Sequence, residues 1–137
     1  MTNPYSQIGG ADVLHKLAAR FYDIMDAEEP ALAALHELDA TGKVASGSRE
    51  RFALFLIGWL GGPQDYVAAH GHPRLRMRHA RVPVTLEMRD AWLRCMDRAL
   101  LDCAVPEELL GFLRQRFAEV ADFLRNTDAA SDAGAAT

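Results

Sequence analysis

A histidine set among arginines is the feature of this sequence with the clearest chemistry. Residues 71–80 read Gly-His-Pro-Arg-Leu-Arg-Met-Arg-His-Ala. Neutral imidazole is a good ligand for haem iron, and arginine pairs with a carboxylate through two parallel hydrogen bonds. Because haem carries two propionates, this segment predicts an iron-ligating histidine beside an anion-binding rim.

Two other interpretations of the segment have to be weighed. His70, His72 and His79 fall close together, as in some zinc sites, but structural zinc usually takes four ligands that include cysteine pairs. Cys95 and Cys103 are eight positions apart without CxxC spacing, on a different predicted helix. A surface position stays open for His70 and His72, as does a solvated face for the arginines.

Charge and hydropathy argue against several classes of partner. The net charge of -4 gives no general attraction to phosphate backbones, and no aromatic stacking surface accompanies the basic segment. The sequence has no run of eighteen apolar residues, and its start lacks the pattern of a signal peptide. We therefore expect no nucleic-acid partner, no membrane association and a cytoplasmic location.

The two cysteines are expected to be reduced thiols. Cys95 and Cys103 lie in one stretch of helical period, which separates them by about 12 Å along the helix axis. A disulfide cannot span that distance. We expect both to act as small hydrophobic side chains.

Two amphipathic helices are predicted in the first half of the chain. Apolar residues at three- and four-residue steps, from Val13 to Met25, predict a helix over about 11–27. A similar pattern from Phe52 to Trp59 predicts another, which ends at the Gly-Gly-Pro of residues 61–63. Either Ser46 or Ser48 could cap its start.

Two further helices are predicted in the second half. Thr85 is a candidate N-cap, and the period then runs from Trp92 to Cys103. Pro106 suits the first turn of a last helix with a broad apolar face. No segment alternates like a strand. The 137 residues, half of them apolar, therefore predict one all-α domain over 1–127 and a disordered tail over 128–137 that has no large apolar residue.

Several strings of this sequence together resemble the group II truncated haemoglobins of the 2-on-2 globin family. They are residues 72–80, the Gly-Gly-Pro of 61–63, and Asp-Ala-Trp-Leu-Arg-Cys-Met at 90–96. Gly-Gly at 9–10 and Arg-Phe-Tyr at 20–22 add to them, and the resemblance runs from about residue 5 to 126 in the right order. It implies a truncated globin, a 2-on-2 helical sandwich around haem b (iron protoporphyrin IX).

The resemblance also implies roles for individual residues. His79 falls on the family's proximal histidine and is expected to bind the iron, while Tyr22 and Trp92 fall on the distal tyrosine and tryptophan that reach the bound ligand. His36 stands at the edge of the distal pocket, where the family varies among Phe, Tyr and His. Ser48 stands where many oxygen-storage globins carry a distal histidine, so that role passes to the other three.

The remaining haem contacts implied by the resemblance form walls and a rim. Phe52 and Phe55 are expected to supply the apolar wall, and Arg78, Arg74 and Tyr66 to meet the propionates. The full expected set is Phe52, Phe55, Leu56, Tyr66, His72, Arg74, Leu75, Met77, Arg78, His79, Val84, Met88, Trp92, Met96 and Phe117.

Several hydrogen-bond donors in a dry pocket predict slow ligand release. Each bond to a charged acceptor contributes about 1.5 to 3 kcal/mol, so oxygen affinity should be high. Slow release argues against bulk oxygen delivery and favours scavenging, or nitric oxide dioxygenase or peroxidase-like chemistry supported by a reductase. O2, NO, CO and peroxide are the expected ligands, and the chain is expected to be a monomer or homodimer. The alternatives are a haem-based sensor or electron-transfer partner acting through another protein, and an all-helical interaction domain without haem.

Overall fold

Seven helices make up most of the regular structure in residues 3–71 and 84–124, the part of the chain that the computed structural model describes. They are α1 (Pro4–Ile8), α2 (Ala11–Glu28), α3 (Pro30–Ala33), α4 (Ser46–Trp59), α5 (Asp65–His70), α6 (Leu86–Asp102) and α7 (Glu107–Leu124). The only β-type pairing in these residues is an isolated bridge between Leu38 and Val44. The all-α prediction is confirmed.

The four long helices lie where the apolar periods predict them. Helix α2 begins at Ala11 and extends one residue beyond the predicted end, and α7 begins one residue after Pro106. Thr85 is the N-cap of α6, since its Oγ1 accepts a hydrogen bond from the Met88 amide at 3.1 Å. Its side chain is buried, so this cap also fixes where the chain enters α6.

Two features of the helices differ from the prediction. Helices α1, α3 and α5 were not predicted, because four to six residues are too few to show a helical period. The predicted capping of α4 by Ser46 or Ser48 is wrong. Its N-cap is Ala45, and no side chain caps the helix start.

The core is built around α2, which packs against both α4 and α6. Leu14, Leu17, Phe21 and Met25 repeat along one face of α2 and are fully buried. Helix α6 in turn packs against α7, and α4 against α5. The result is two helix pairs, α2 with α4 and α6 with α7, that meet through α2 and α6.

The N-terminal helix is docked on the end of α4 by a close approach that only glycine permits. The Tyr5 ring lies against Gly62, where an added Cβ would come within 2.5 Å of the ring. Gly61 has a φ of +103°, and its carbonyl accepts a hydrogen bond from Asn3 Nδ2 at 2.9 Å. The Tyr5 amide donates to the Leu60 carbonyl at 3.0 Å. The predicted helix stop is therefore also the docking site of α1.

Both cysteines are free thiols, as predicted. Burial raises the pKa of Cys95 to about 11, so this thiol stays protonated and unreactive. The predicted tail, residues 128–137, lies outside the described residues. Within the described residues, no helix combines the length and hydropathy needed to cross a bilayer.

Candidate functional site

A cavity of about 360 Å³ lies between the two helix pairs. It falls within the size range of sites that hold small molecules and cofactors. Its walls come from α2, α3, α4, α5, α6 and α7 and from the residues just after α3. They are Tyr22, Leu32, Leu35, His36, Ser48, Arg51, Phe52, Phe55, Trp59, Tyr66, Val84, Met88, Arg89, Trp92, Phe117, Val120, Ala121 and Leu124. We call it the aromatic cavity.

Contacting aromatic rings line much of this cavity. Phe52 stacks on Phe55 with 6.4 Å between ring centroids, and Phe55 stacks on Trp59 at 6.1 Å. Trp59 contacts Phe117 on α7 at 5.1 Å, and Phe55 contacts Tyr66 edge to face at 6.0 Å. These spacings are those of favourable aromatic pairs, so the walls are rigid as well as apolar.

Tyr22 contributes a buried hydroxyl to the aromatic cavity. It follows Phe21 of the α2 core stripe, and 6% of its surface is exposed. Its hydroxyl has no hydrogen-bond partner within residues 3–71 and 84–124. Burial raises the pKa of Tyr22 far above its ordinary value, and the positive charges of Arg49 and Arg51 offset only part of this. The hydroxyl therefore keeps its proton and can act as a donor.

Trp92 places a second donor on the wall opposite α4. Its ring contacts Phe21 at 5.2 Å, Phe117 at 5.7 Å and Phe52 at 6.2 Å. Indole nitrogen can only donate, and it finds no acceptor among the residues described. Tyr22 and Trp92 thus offer the mostly apolar cavity two donors that no acceptor of the described residues occupies, an arrangement suited to a small ligand with an acceptor atom.

His36 lies beside Tyr22 at the edge of the aromatic cavity. The two rings meet edge to face with 5.5 Å between centroids. His36 Nδ1 is 3.0 Å from the Leu32 carbonyl, which can only accept, so Nδ1 carries the proton. In the neutral ring Nε2 is then an acceptor, and protonation would turn it into a donor.

Arg51 is a rim residue that the sequence analysis did not single out. Its Nη2 lies 3.4 Å from Ser48 Oγ, and it has no carboxylate partner among the described residues. Arg89, the other arginine of the lining, is bound to Asp90 and Asp122 at 3.0 Å and 2.8 Å. The spacing of residues in the sequence could have revealed Arg51. Ser48, Arg51 and Phe55 follow one another at steps of three and four residues along α4, which places them on one face of the helix.

Most of the described residues predicted to form the site lie together. The aromatic cavity is lined by nine of them: Tyr22, His36, Phe52, Phe55, Tyr66, Val84, Met88, Trp92 and Phe117. Leu56 and Met96 do not line it, because both are buried in the helix core. Six predicted residues lie outside the described part of the chain: His72, Arg74, Leu75, Met77, Arg78 and His79.

A second cavity, of about 480 Å³, lies between α6 and α7. Met96 and Leu100 contribute to its apolar surface, and Arg114 and Asp97, which form an ion pair, lie at its edge. Phe117 lines both this cavity and the aromatic cavity. Among the described residues, Phe117 is the one that both linings share.

Comparison with known proteins places this site in a family context. The family model described as bacterial-like globin matches residues 3–126. The group 2 truncated haemoglobin YjbI of Bacillus subtilis (strain 168) is 36% identical over 129 residues, covering 94% of this chain and 92% of that protein. The structure of the group II 2-on-2 haemoglobin of Agrobacterium tumefaciens has a TM-score of 0.84 at 34% identity, covering 93% of this chain and 97% of the other. The cold-adapted truncated haemoglobin of Pseudoalteromonas haloplanktis TAC125 has a TM-score of 0.83 at 38% identity, covering 91% and 98%.

The raised pKa of Tyr22 predicts a specific loss of stability in alkali. In the unfolded chain Tyr22 ionises at about pH 10. The folded protein holds the proton above that pH, so its free energy of unfolding falls as pH rises, by up to about 1.4 kcal/mol per pH unit from this group. Denaturant unfolding measured at pH 8 and at about pH 11 gives the free energy of unfolding at each pH. The decrease in this free energy between the two pH values should be smaller for Tyr22→Phe than for the wild type. Equal losses would show that Tyr22 ionises normally in the folded protein.

Proposed function

Because the chain belongs to the bacterial-like globin family, and within it to the group 2 truncated haemoglobins, we propose that His79 holds a five-coordinate haem b. We also propose that Tyr22, Trp92 and His36 slow the release of the bound ligand. Members of this family bind haem and diatomic ligands, so the chain is a haem protein. His79 lies outside the described residues, and its assignment rests on its place in the sequence.

The observation that carries the proposal is a pair of donors in the aromatic cavity, Tyr22 and Trp92, that have no acceptor among the described residues. Unsatisfied buried donors are rare in native proteins, since each costs about 1 to 3 kcal/mol. A ligand that accepts a hydrogen bond from the buried Tyr22 would remove this cost, and the partly buried Trp92 would offer it a second donor. When bound, haem would supply the iron to which such a ligand attaches. The donors and the aromatic walls therefore fit this cofactor.

The described residues also suggest how the cofactor would be held. Tyr66, Val84, Met88 and Phe117 line the aromatic cavity and would contact the haem, together with the predicted residues of 72–79. Arg51 adds a guanidinium at the rim of the cavity, and this group has no ion pair with a carboxylate among the described residues. We assign it as a further partner for a propionate, beside Arg74 and Arg78.

His36 would give ligand release a dependence on pH. Its Nδ1 is committed to the Leu32 carbonyl, so a second proton would go to Nε2. A donor at Nε2 beside Tyr22 would add to the stabilisation of a negatively charged ligand. Release should therefore become slower as pH falls through the range in which His36 titrates.

A high affinity set by slow release favours scavenging or redox chemistry over delivery. The donors stabilise the bound ligand, and the aromatic walls exclude water that would compete for the same hydrogen bonds. Oxidation of nitric oxide or reduction of peroxide would need electrons from a reductase. The alternative is a sensor or electron-transfer role, in which the state of the iron alters contacts with another protein.

Removal of the two donors should accelerate oxygen release. Tyr22→Phe and Trp92→Leu should each raise the dissociation rate constant about 10-fold or more, as expected for the loss of one hydrogen bond to a charged acceptor. Stopped-flow mixing of the oxygenated protein with dithionite measures this rate. Tyr5→Phe, which changes a tyrosine outside the aromatic cavity, is the matched control. Wild-type rates in both cavity variants would rule out the donor mechanism.

Replacement of the proposed iron ligand should change the absorption spectrum. His79→Gly should lose the five-coordinate ferrous spectrum of the wild type, and added imidazole should restore it by occupying the vacated position. His15→Ala, which alters a histidine of α2 away from the aromatic cavity, should leave the spectrum unchanged. A His79→Gly protein with the wild-type ferrous spectrum would show that another residue binds the iron.

Nitric oxide turnover separates the enzymatic role from the sensor role. With oxygen and a reductase present, the protein should consume nitric oxide faster than an equal concentration of free haem. The His79→Gly protein should be slower than the wild type, because its iron lacks the proposed ligand. Consumption no faster than that by free haem would favour the sensor or electron-transfer role.

A further inference from the structure

Arg49 lies in the first turn of α4, and its guanidinium binds α2 and the end of the loop that leads into α4. Nη1 donates to the Ala19 carbonyl at 3.1 Å and to Asp23 Oδ1 at 2.8 Å. Nη2 donates to Asp26 Oδ2 at 2.7 Å, and Nε donates to the Val44 carbonyl at 2.9 Å. This planar group therefore fixes three separate segments relative to one another.

The bonds close into a ring, which makes the arrangement stiff. The Val44 amide donates to Asp26 Oδ1 at 3.1 Å, so Arg49, Asp26 and Val44 are each bonded to the other two. The side chains of Arg49 and Asp26 are 20% and 10% exposed. An ion pair this shielded, with its oxygens also bonded to backbone, is held far more firmly than an exposed pair.

The same guanidinium lies beside the ring of Tyr22. Its Cζ is 5.7 Å from the ring centroid, within the distance of a cation–π contact. Phe52 and His36 contact the ring at 5.7 Å and 5.5 Å, both edge to face. Asp23 is the next residue along α2, so the helix turn that Arg49 binds is the one that carries Tyr22.

We propose that Arg49 is a positioning residue that sets the direction of the Tyr22 hydroxyl, and through it the rate of ligand release. Arg49 itself does not line the aromatic cavity, so it acts through Tyr22 and not by contact with the ligand. The inference rests on the proposed function, in which Tyr22 donates a hydrogen bond to the ligand. It goes beyond that function in assigning control of the donor to an ion-pair network outside the cavity.

A double-mutant cycle separates positioning from a general effect on the fold. Oxygen dissociation rates are measured for the haem-bound wild type, Arg49→Met, Tyr22→Phe and the double variant. Arg49→Met should raise the dissociation rate about fivefold or more, which is a large part of the effect expected from losing one hydrogen bond to the ligand. In the Tyr22→Phe background the same change should alter the rate by less than about twofold. Equal fold-changes in the two backgrounds would overturn the inference.

The single variants distinguish failure of this inference from failure of the proposed function. If Tyr22→Phe accelerates release and Arg49→Met does not, Arg49 does not position the donor, and the proposed function stands. If Tyr22→Phe has no effect, the donor role of Tyr22 is wrong and the inference falls with it. Arg20→Met is the matched control, because Arg20 joins α2 to Asp102 of α6 at 2.7 Å without lining the aromatic cavity. It should leave the rate unchanged.

A second measurement reports on the tyrosine itself. In ferrous protein saturated with carbon monoxide and labelled with ring-¹³C tyrosine, the signal of Tyr22 is identified by its loss in Tyr22→Phe. Arg49→Met should shift that signal, while the signals of Tyr5 and Tyr66 stay in place. Asp26→Asn and Arg49→Lys are milder changes that weaken the ring of bonds and should shift the Tyr22 signal less. An unmoved Tyr22 signal in all three variants would overturn the inference.

Discussion

A buried donor, the Tyr22 hydroxyl, for which the described residues provide no acceptor, is the constraint on which the rest of this structure depends. A hydroxyl removed from water without a new hydrogen bond costs about 1 to 3 kcal/mol. Tyr22 bears that cost in the aromatic cavity, where rings pack around it but no described residue makes a hydrogen bond to its hydroxyl. The surrounding packing has to offset this cost to keep the hydroxyl in the cavity. The stability of the core and the position of the donor are therefore linked.

Helix α2 makes this link, because it supplies both the core and the donor. Its buried stripe, from Leu14 to Met25, packs between α4 and α6. Tyr22 is one residue beyond Phe21 of that stripe, about 100° further around the helix. The angle at which the donor enters the aromatic cavity therefore follows from how the stripe is packed. Arg49 adds a polar restraint from α4 to the same turn.

The sequence predicted what depends on local pattern and missed what depends on distant contacts. The long helices and the Thr85 cap follow from period and residue type, and both are present. The short helices and the true start of α4 carry no such pattern. Arg49 binds Ala19, Asp23 and Asp26, which precede it by 30, 26 and 23 positions, and no spacing rule reveals such pairs. His36 and Trp92 are far apart in the sequence, and only the resemblance to a known family predicted that they belong to one site.

The ring of Phe117 is shared by the aromatic cavity and by the solvent-open groove between α6 and α7, since it lines both. Trp59 and Trp92 brace the ring at 5.1 Å and 5.7 Å, so its rotation depends on how these two indoles are packed. A rotation of this ring that joined the aromatic cavity to the groove would give the cavity a second opening to solvent, on the side of α6 and α7. The time that a freed gas molecule spends inside the protein before it rebinds or escapes would then depend on the torsion of one benzyl group.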